Sequence, residues 1–397
     1  MNIGILREEK VPVDKRVPFS PSQCKHIITE FPELKIFVQS SDIRCFSDED
    51  YLKHGIPVVD SLESCDMLFG IKEVPKSKLI ANKTYLFFSH TIKKQEYNRE
   101  LLKRMIKLNI RMIDYEVLKY DNGSRILGFG RYAGIIGAYN GLLTYGLKHG
   151  LYTLKPANKC IDRNEMDNYL NDVKLSNEKL LITGKGRVGS GILETIKKLN
   201  IKEVNIDDYL NKRFDQPVYL NIDVMDYNAR IDGKESTFFD FLNDSSLYKS
   251  TFMKYAAKTD LYFAGHFYAT GAPYLFTRKD VKSPDFKISV VADVSCDIDG
   301  PVATTIKPST ISNPIYGYNR NTEKEDDFMS NDIIAVMAVD NLPCELPKDS
   351  SEDFGEHLIK HIIPIINSDN KIIEGATICK NGDLTKNYEY LRDYVNS

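Results

Sequence analysis

The sequence predicts an α/β protein of two domains, each built around a parallel sheet. Short apolar runs alternate with amphipathic helical segments over the first third of the chain, which is typical of βαβ units. A glycine-rich turn between an apolar run and a second helical segment lies in mid-chain, so a first domain precedes it. At 397 residues the chain is also too long for one ordinary hydrophobic core. Two α/β domains are therefore expected.

The amino-terminal segments follow this alternation. Short, continuous apolar runs that are bounded by polar residues predict strands buried on both faces. We expect strands at 2–6, 34–38, 66–71, 84–89, 110–114 and 125–129, and helices at 21–30, 47–54 and 94–107. A further helix over 131–150 carries small residues on one side, including Gly134, Gly137 and Gly141. Because glycine disfavours a helix interior, these residues predict close backbone packing in a helix that connects the domains.

Two of these apolar runs end on ionisable residues. The run at 66–71 is followed by Lys72 and Glu73, and the run at 84–89 is followed by His90. In open parallel sheets, ligands bind outside the carboxyl ends of the strands. Lysine and histidine differ by roughly four units in reference pKa, so one can act as a base and the other as an acid. The alternative is that these residues are ordinary surface groups where strands emerge.

The glycine-rich turn has the spacing of a dinucleotide-binding fingerprint. Gly184, Gly186 and Gly189 follow an apolar run at 180–183, and Arg187 and Val188 lie between the last two glycines. Such glycines allow a tight turn, close approach of a pyrophosphate and helix packing. A predicted strand at 203–206 then leads into Asp207 and Asp208, where an acid that binds the ribose is expected. These acids favour NAD over NADP, although Arg213 leaves NADP open.

The rest of the chain continues the second domain and then departs from it. Apolar runs predict strands at 261–264, 288–292 and 333–338, the last two leading into Asp293 and Asp340. Tail helices are expected at 352–366, with a cap at Ser350 and Ser351, and at 385–394. We expect residues 352–397 to complete a first domain of residues 1–135, with a nucleotide-binding domain at 136–351.

Composition narrows the class of partner and the compartment. The net charge is −3, and the absence of a dense Lys/Arg run disfavours nucleic acid or a membrane surface as a partner. Seven scattered cysteines without C-x-x-C spacing disfavour a metal site and a disulfide framework. The amino terminus predicts a first strand instead of a secretory signal. A cytoplasmic protein acting on small molecules is expected, and its oligomeric state is open.

Several motifs together resemble one enzyme family. The segments GIKEVP at 70–75, FSHTIKKQE at 88–96 and GFGRYAG at 128–134 resemble the saccharopine dehydrogenases, and more closely the lysine–ketoglutarate reductase half of bifunctional lysine-degrading enzymes. The resemblance continues in order through IDYE at 113–116, GRVGSG at 186–191, DVSCD at 293–297, VDNLP at 339–343 and LPKDSSEDF at 346–354. It implies two Rossmann-like, doubly wound parallel-sheet domains with the active site in the cleft between them.

The resemblance also implies roles for individual residues. Lys72 and His90 match an acid–base pair, and Glu73 and Glu116 match carboxylates that hold this pair in its working protonation states. Arg16, Lys93 and Arg125 match residues that face substrate carboxylates. Asp340 matches an acid near the nicotinamide. Arg131 departs from the fungal enzymes and is kept as a further substrate-binding candidate. His266 lies in a loop where the family varies and is outside the expected catalytic set.

The resemblance implies interconversion of saccharopine with L-lysine and 2-oxoglutarate by hydride transfer with NAD, NADP being possible. Two alternatives remain open at this point. An alanine dehydrogenase-like enzyme would use the same strand ends for an amino acid and a 2-oxo acid with one carboxylate. A transhydrogenase-like subunit would bind the nucleotide without chemistry of its own.

Overall fold

The structure is a computed structural model that describes residues 1–269, 271–368 and 370–397. Over these ranges it contains eighteen strands and thirteen α-helices. The strands are β1 Asn2–Ile5, β2 Lys35–Gln39, β3 Val58–Val59, β4 Met67–Phe69, β5 Thr84–Phe87, β6 Arg111–Asp114, β7 Lys179–Thr183, β8 Lys202–Glu203, β9 Val218–Ile222, β10 Asn228–Arg230, β11 Tyr248–Ser250, β12 Leu261–Ala264, β13 Val290–Asp293, β14 Ile315–Asn319, β15 Lys324–Asp326, β16 Ile333–Met337, β17 Thr377–Lys380 and β18 Asp383–Leu384. The helices are α1 Pro21–Glu30, α2 Asp48–Lys53, α3 Glu96–Lys107, α4 Gly130–His149, α5 Arg163–Asn168, α6 Arg187–Ile196, α7 Ile206–Asn211, α8 Phe238–Asn243, α9 Met253–Ala256, α10 Arg278–Val281, α11 Pro347–His361, α12 Lys371–Ala376 and α13 Arg392–Asn396.

The chain divides into two compact units. The first comprises Met1–Phe129 and Pro347–Ser397, and the second comprises Gly130–Leu346. The second unit begins at the start of α4, whereas the sequence analysis placed its boundary inside this helix. The reason is packing, because a Cβ atom on Gly134 would lie 2.0 Å from the carbonyl oxygen of Val188 on α6. The glycine-rich helix therefore packs tightly on the helix that follows the fingerprint.

The first unit contains an eight-stranded sheet in the order β18-β17-β6-β5-β4-β1-β2-β3. Strands β1 to β6 pair in parallel, whereas β17 pairs antiparallel with both β6 and β18. The expected strand at 125–129 is wrong. Residues from the carboxyl-terminal segment occupy the edge of β6 where that strand would add, and Arg125 forms only an isolated bridge with Lys119.

The carboxyl-terminal segment also differs in detail from the expectation. Helix α11 begins at Pro347, so Ser350 and Ser351 are not its cap. Both serines are fully buried within the helix, where the Ser351 hydroxyl donates to the Pro347 carbonyl and accepts from the backbone N–H of Val17 at 3.0 Å. The expected helix at 385–394 is a short 3₁₀ segment, Lys386–Leu391, followed by α13.

The second unit contains another eight-stranded sheet, in the order β15-β14-β16-β13-β12-β7-β9-β8. Its strands are parallel except β14 and β15. Alternate side chains of β7 enter two hydrophobic cores, one containing Ile192 and Ile196 of α6 and the other containing Tyr209 of α7 and Tyr255 of α9. Helices therefore cover both faces, which confirms the predicted α/β class with mixed sheets in place of purely parallel ones.

The strand predicted at 203–206 is also corrected. Only Lys202 and Glu203 form β8. The side chain of Asn205 accepts a hydrogen bond from the backbone N–H of Asp208 at 2.9 Å and caps α7. Asp207 and Asp208 consequently lie in the first turn of a helix and not at a strand end. Among the described residues, no helix is both long and apolar enough to cross a membrane.

Candidate active site and nucleotide-binding loop

The carboxyl ends of β4 and β5 place the first candidate residues in the first unit. These strands are parallel neighbours, with Phe69 of β4 level with Leu86 of β5. The backbone N–H of Phe88 donates to the carbonyl oxygen of Ile71 at 3.0 Å, so the segments that follow the two strands remain paired. Lys72 directly follows Ile71, and His90 follows Phe88 by two residues. The structure thus brings the two to the same edge of the sheet.

His90 is held by Glu73. Its ring Nδ1 lies 2.6 Å from Oε1 of Glu73, whose other oxygen, Oε2, accepts from the Lys10 ammonium at 2.6 Å. Burial by itself raises the pKa of Glu73, but the hydrogen bonds from His90 and Lys10 lower it to about 2. An ionised carboxylate can only accept, so Nδ1 carries the proton in this pair. Nε2 of neutral His90 is therefore the nitrogen that can accept a proton from water or substrate.

The backbone at His90 is itself unusual. His90 has a φ of 53° and Lys94 a φ of 55°, both in the left-handed region, and they flank the 3₁₀ turn Thr91–Lys93. Residues with side chains seldom adopt this conformation, which costs free energy that the surrounding structure must supply. The turn re-aims the chain directly after β5. Such strain at a candidate catalytic histidine is consistent with a constrained functional position.

Lys72 has the electrostatic surroundings of a base. Burial makes the largest contribution to lowering the pKa of Lys72, and the positive charges of Arg16 and Lys10 lower it further. The neighbouring carboxylates Asp14 and Glu73 act in the opposite direction without reversing the shift. A lowered pKa increases the fraction of neutral amine at a given pH, and a neutral amine is the form that accepts a proton.

Glu8 is a member of this group that the sequence analysis missed. Its side chain is buried, and its two oxygens accept hydrogen bonds from the backbone N–H groups of Ile71 at 2.6 Å and Lys72 at 2.9 Å. β1 lies beside β4 in the sheet, so a residue just after β1 reaches the end of β4. The available signal was that the first strand also ends on ionisable residues.

Glu116 holds a pair of cations. It is buried directly after β6, and its Oε1 accepts from Nη2 of Arg125 at 3.0 Å and lies 3.3 Å from Nζ of Lys93. Glu116 was expected to hold Lys72 and His90 in their working protonation states. In the structure its ion pairs are with Lys93 and Arg125. The Lys93 and Arg125 side chains are both more than half exposed, so the two positive charges lie at the surface of the unit.

Arg16 is buried and paired inside the first unit. Its Nε and Nη2 donate to the two oxygens of Asp14 at 3.0 and 2.6 Å, and its guanidinium lies 4.1 Å from the centre of the Phe129 ring. This geometry is the bidentate arrangement that arginine forms with a carboxylate. The expected partner was a substrate carboxylate, and the structure supplies an internal one. Arg16 also acts on Lys72 through its charge.

Arg131 lies in the second unit. It is the second residue of α4, and its Nε and Nη2 donate to the two oxygens of Glu194 on α6 at 2.6 and 2.8 Å. Arg163 donates to the same carboxylate at 3.1 Å. These contacts join α4, α5 and α6, so the role that they support for Arg131 is to hold the three helices together. Its expected role with substrate has no support in these contacts.

Each fingerprint glycine meets a separate steric requirement. Gly184 has a φ of +98°, and a Cβ atom there would lie 2.4 Å from the carbonyl oxygen of Gly265. A Cβ atom on Gly189 would lie 2.0 Å from the carbonyl oxygen of Gly184, so helix α6 packs directly on the loop. A Cβ atom on Gly186 would meet no other atom within 4 Å. The backbone is thus open where a pyrophosphate approaches the start of α6, next to Arg187 and Val188.

The ends of three adjacent strands define the rest of the nucleotide site. Thr183 of β7 is level with Ile222 of β9 and with Ala264 of β12. The residue that follows Ile222 is Asp223, and the backbone N–H of Gly184 donates to the Ile222 carbonyl at 2.8 Å. Asp223 therefore takes the position beside the fingerprint that the sequence analysis assigned to Asp207 and Asp208. The observed loop and acid fit a dinucleotide.

Asp340 follows β16 in the same sheet and is exposed. β16 is separated from the fingerprint strand β7 by β12 and β13.

Within the described ranges, no group of three or more His, Cys, Asp or Glu side chains has the arrangement of a metal site.

Comparison with known families matches both parts of the chain. Residues 4–136 match the alanine dehydrogenase/PNT amino-terminal domain, and residues 170–387 match the alanine dehydrogenase/PNT carboxyl-terminal domain. The chain belongs to the alanine dehydrogenase/PNT family. A solved L-alanine dehydrogenase structure has the same fold over 99% of this chain, with a TM-score of 0.65 at 17% identity, and all of that chain is covered.

Two proteins similar to this chain carry more specific names. The alpha-aminoadipic semialdehyde synthase of Mus musculus is 26% identical over 98% of this chain, which spans 47% of the mouse protein's length. The saccharopine dehydrogenase (NAD⁺, L-lysine-forming) of Candida glabrata is 27% identical over 91% of this chain and 93% of that protein. The chain thus spans about half the length of the mouse relative and nearly all of the Candida glabrata relative, in agreement with the resemblance found in the sequence.

Proposed function

We propose that this family member is a saccharopine dehydrogenase that interconverts saccharopine with L-lysine and 2-oxoglutarate, with NAD(H) as cofactor. The observation that carries the proposal is the group formed by Lys72, Glu73 and His90. Lys72, whose pKa is lowered, directly precedes Glu73 in the chain, and the Glu73 carboxylate is hydrogen-bonded to one ring nitrogen of His90. Saccharopine chemistry requires two separate proton transfers, one at the secondary amine and one at water, which suits two such groups.

Lys72 is proposed as the base for the secondary amine. In the direction of lysine formation, the bound nicotinamide supplies the hydride acceptor for oxidation of the carbon–nitrogen bond. Neutral Lys72 takes the amine proton, so that the nitrogen lone pair is available as the imine forms. Arg16 and Lys10 favour the neutral amine because both carry positive charge near it.

His90 is proposed to activate the water that attacks the imine carbon. Glu73 holds the Nδ1 proton, so the lone pair of Nε2 takes the proton of water as the new carbon–oxygen bond forms. Glu73 then stabilises the imidazolium through a charge-assisted hydrogen bond. Lys72 returns its proton to the lysine nitrogen, which leaves as the carbon–nitrogen bond breaks. The carbinolamine hydroxyl gives its proton to water and becomes the carbonyl of 2-oxoglutarate.

The two cations beside Glu116 are proposed to bind substrate carboxylates. Saccharopine carries three carboxylates, and its site needs fixed positive charges. Lys93 and Arg125 are oriented by one buried carboxylate, and a guanidinium has five N–H donors, so its bond to Glu116 is compatible with binding a second carboxylate. For Arg16, binding of a substrate carboxylate stays a prediction.

NAD(H) is proposed as the preferred cofactor. Gly184, Gly186 and Gly189 hold the pyrophosphate at the start of α6, and Asp223 accepts hydrogen bonds from the ribose hydroxyls. A carboxylate at this position repels the 2′-phosphate of NADP. Asp340 is kept as an acid near the nicotinamide. The cytoplasmic location also stays a prediction.

An alanine dehydrogenase-type reaction is the second candidate, because the family fold is shared with that enzyme. The paired cations at Glu116 favour a substrate with more carboxylates than alanine has. A nucleotide-binding subunit without chemistry is disfavoured by the electrostatics of Lys72 and by the His90–Glu73 pair.

Cofactor oxidation tests these candidates directly. We expect the purified protein to oxidise NADH with lysine plus 2-oxoglutarate, and not with pyruvate plus ammonia. Lys72→Met provides a matched catalytic control. Oxidation with pyruvate plus ammonia alone would establish the second candidate, and oxidation with neither pair would favour the subunit without chemistry.

A further inference from the structure

His266 lies where the strand order of the second unit reverses. From β7 the sheet extends to β9 and β8 on one side and to β12 and β13 on the other. Open α/β sheets bind ligands at such a reversal, outside the carboxyl ends of the strands. His266 follows β12 by two residues, and a Cβ atom on Gly184 would lie 2.9 Å from its Cα. The histidine backbone therefore contacts the fingerprint loop.

A buried hydrogen-bonded chain holds the His266 ring. Its Nδ1 lies 3.1 Å from the hydroxyl oxygen of Thr183, and that oxygen lies 2.8 Å from the hydroxyl of Tyr262. Thr183 and Tyr262 are fully buried, and His266 is 7% exposed. The hydrogen bonds of the two hydroxyls and of Nδ1 are satisfied when Tyr262 donates to Thr183 and Thr183 donates to Nδ1. In that arrangement the proton of the neutral ring is on Nε2.

The Nε2 atom of His266 is buried and has no hydrogen-bond partner among the described residues. Burial also lowers the pKa of His266 to about 4, so the ring is neutral near pH 7. A buried donor without an acceptor is unfavourable, and native structures usually provide a partner. A neutral N–H matches an uncharged oxygen better than a phosphate.

We propose that the Nε2–H of His266 donates a hydrogen bond to an uncharged oxygen of the nicotinamide nucleoside of the cofactor. The inference rests on the cofactor assignment within the proposed function. Asp223 beside β9 binds the adenosine ribose and the start of α6 binds the pyrophosphate, so the nicotinamide half extends over β12. Residues 265–269 form an irregular loop, and the proposal requires this loop to shift so that the buried Nε2 reaches the acceptor.

Two substitutions separate the two ring nitrogens. The amide of His266→Asn reaches the Nδ1 position and keeps a partner for Thr183, but it removes the donor at Nε2. The longer His266→Gln places an N–H near the Nε2 position. Titration of NADH fluorescence gives the affinity of each variant without requiring turnover. ADP, which lacks the nicotinamide nucleoside, is the matched ligand, and its affinity is measured by calorimetry.

We expect His266→Asn to weaken NADH binding about 3- to 10-fold, the effect of one neutral hydrogen bond, and to leave ADP binding unchanged. His266→Gln should retain most of the NADH affinity. Unchanged NADH binding in His266→Asn, or equal losses for NADH and ADP, would overturn the inference and assign His266 a structural role. NADH binding that depends on His266 in a protein that does not turn over saccharopine would contradict the proposed function alone. No NADH binding by the unaltered protein would overturn both.

Discussion

One oxygen of the Glu8 carboxyl group accepts the backbone N–H of Lys72 at 2.9 Å, and the other accepts that of Ile71 at 2.6 Å. These bonds tie the residue after β1 to the segment after β4, from which the proposed base extends. Because the Glu8 side chain is buried, the segment has little freedom to move while both hydrogen bonds to it are in place. Glu8 is therefore a positioning residue for Lys72.

Replacement of Glu8 should change how stability depends on pH. Burial raises the pKa of Glu8 from its ordinary value near 4.5 to about 8. The folded protein then holds a proton that the unfolded chain releases, so the stabilisation present below about pH 5 is lost as the pH rises through about 8. Glu8→Gln cannot ionise, so urea unfolding should show a weaker decline than the unaltered protein over this range. Glu9→Gln, at the neighbouring ion-paired residue, is the control. Parallel declines in all three proteins would contradict the shifted pKa.

Lys72→Met and His90→Gln should lower kcat about 100- to 10,000-fold while changing KM much less, because general acid–base groups act mainly in the transition state. Steady-state kinetics with saccharopine and NAD⁺ measure both constants. Lys53→Met and His54→Gln, at exposed positions on and after α2, are matched controls that should retain normal turnover. Near-normal kcat in both site variants would exclude this strand edge as the active site.

Lys10→Met should move one limb of the pH profile. Removal of the Lys10 charge raises the pKa of Lys72, since that charge is one of the factors that lower it. Saccharopine oxidation requires neutral Lys72, so the rising limb of kcat/KM should shift to higher pH. Lys25→Met, on the exposed face of α1, should leave the limb in place. A shift to lower pH in Lys10→Met would assign the limb to another group.

Asp223→Ser should relax the choice of cofactor. Loss of the carboxylate removes the repulsion of a 2′-phosphate, so the KM for NADPH should fall relative to that for NADH by at least about tenfold. Asp208→Asn, in the first turn of α7, should leave the ratio of the two constants unchanged. The opposite outcome, with Asp208 controlling the ratio, would return the ribose-binding role to the acid expected from the sequence.

Gly134→Ala tests the packing of α4 on α6. The added methyl would lie 2.0 Å from the Val188 carbonyl oxygen, so we expect unfolding in urea to require about 1–3 kcal/mol less free energy. Gly375→Ala is the matched helical control, since its methyl would meet no other atom within 4 Å. Equal stability of the two variants would show that the helices separate at little cost.

The sequence by itself determined the features that depend on neighbouring residues. Apolar runs that end at Lys72 and His90 predicted the ends of β4 and β5, and the spacing of Gly184, Gly186 and Gly189 predicted the strand–turn–helix unit. Local backbone conformation and burial control such patterns, so they are visible without knowledge of the fold. The strand at 125–129 failed because its place in the sheet depended on a distant segment.

Only the tertiary structure decided which residues become partners. The order of the strands puts β9, and not β8, beside β7. This order is the reason for proposing Asp223, in place of Asp207 and Asp208, as the ribose-binding acid. The same holds for Glu8 at Lys72, for Glu194 at Arg131 and for Thr183 at His266. Each of these contacts joins residues more than sixty positions apart. Their physical reason is topological, because the path of the chain sets which strand ends meet, and a local pattern contains no information about that path.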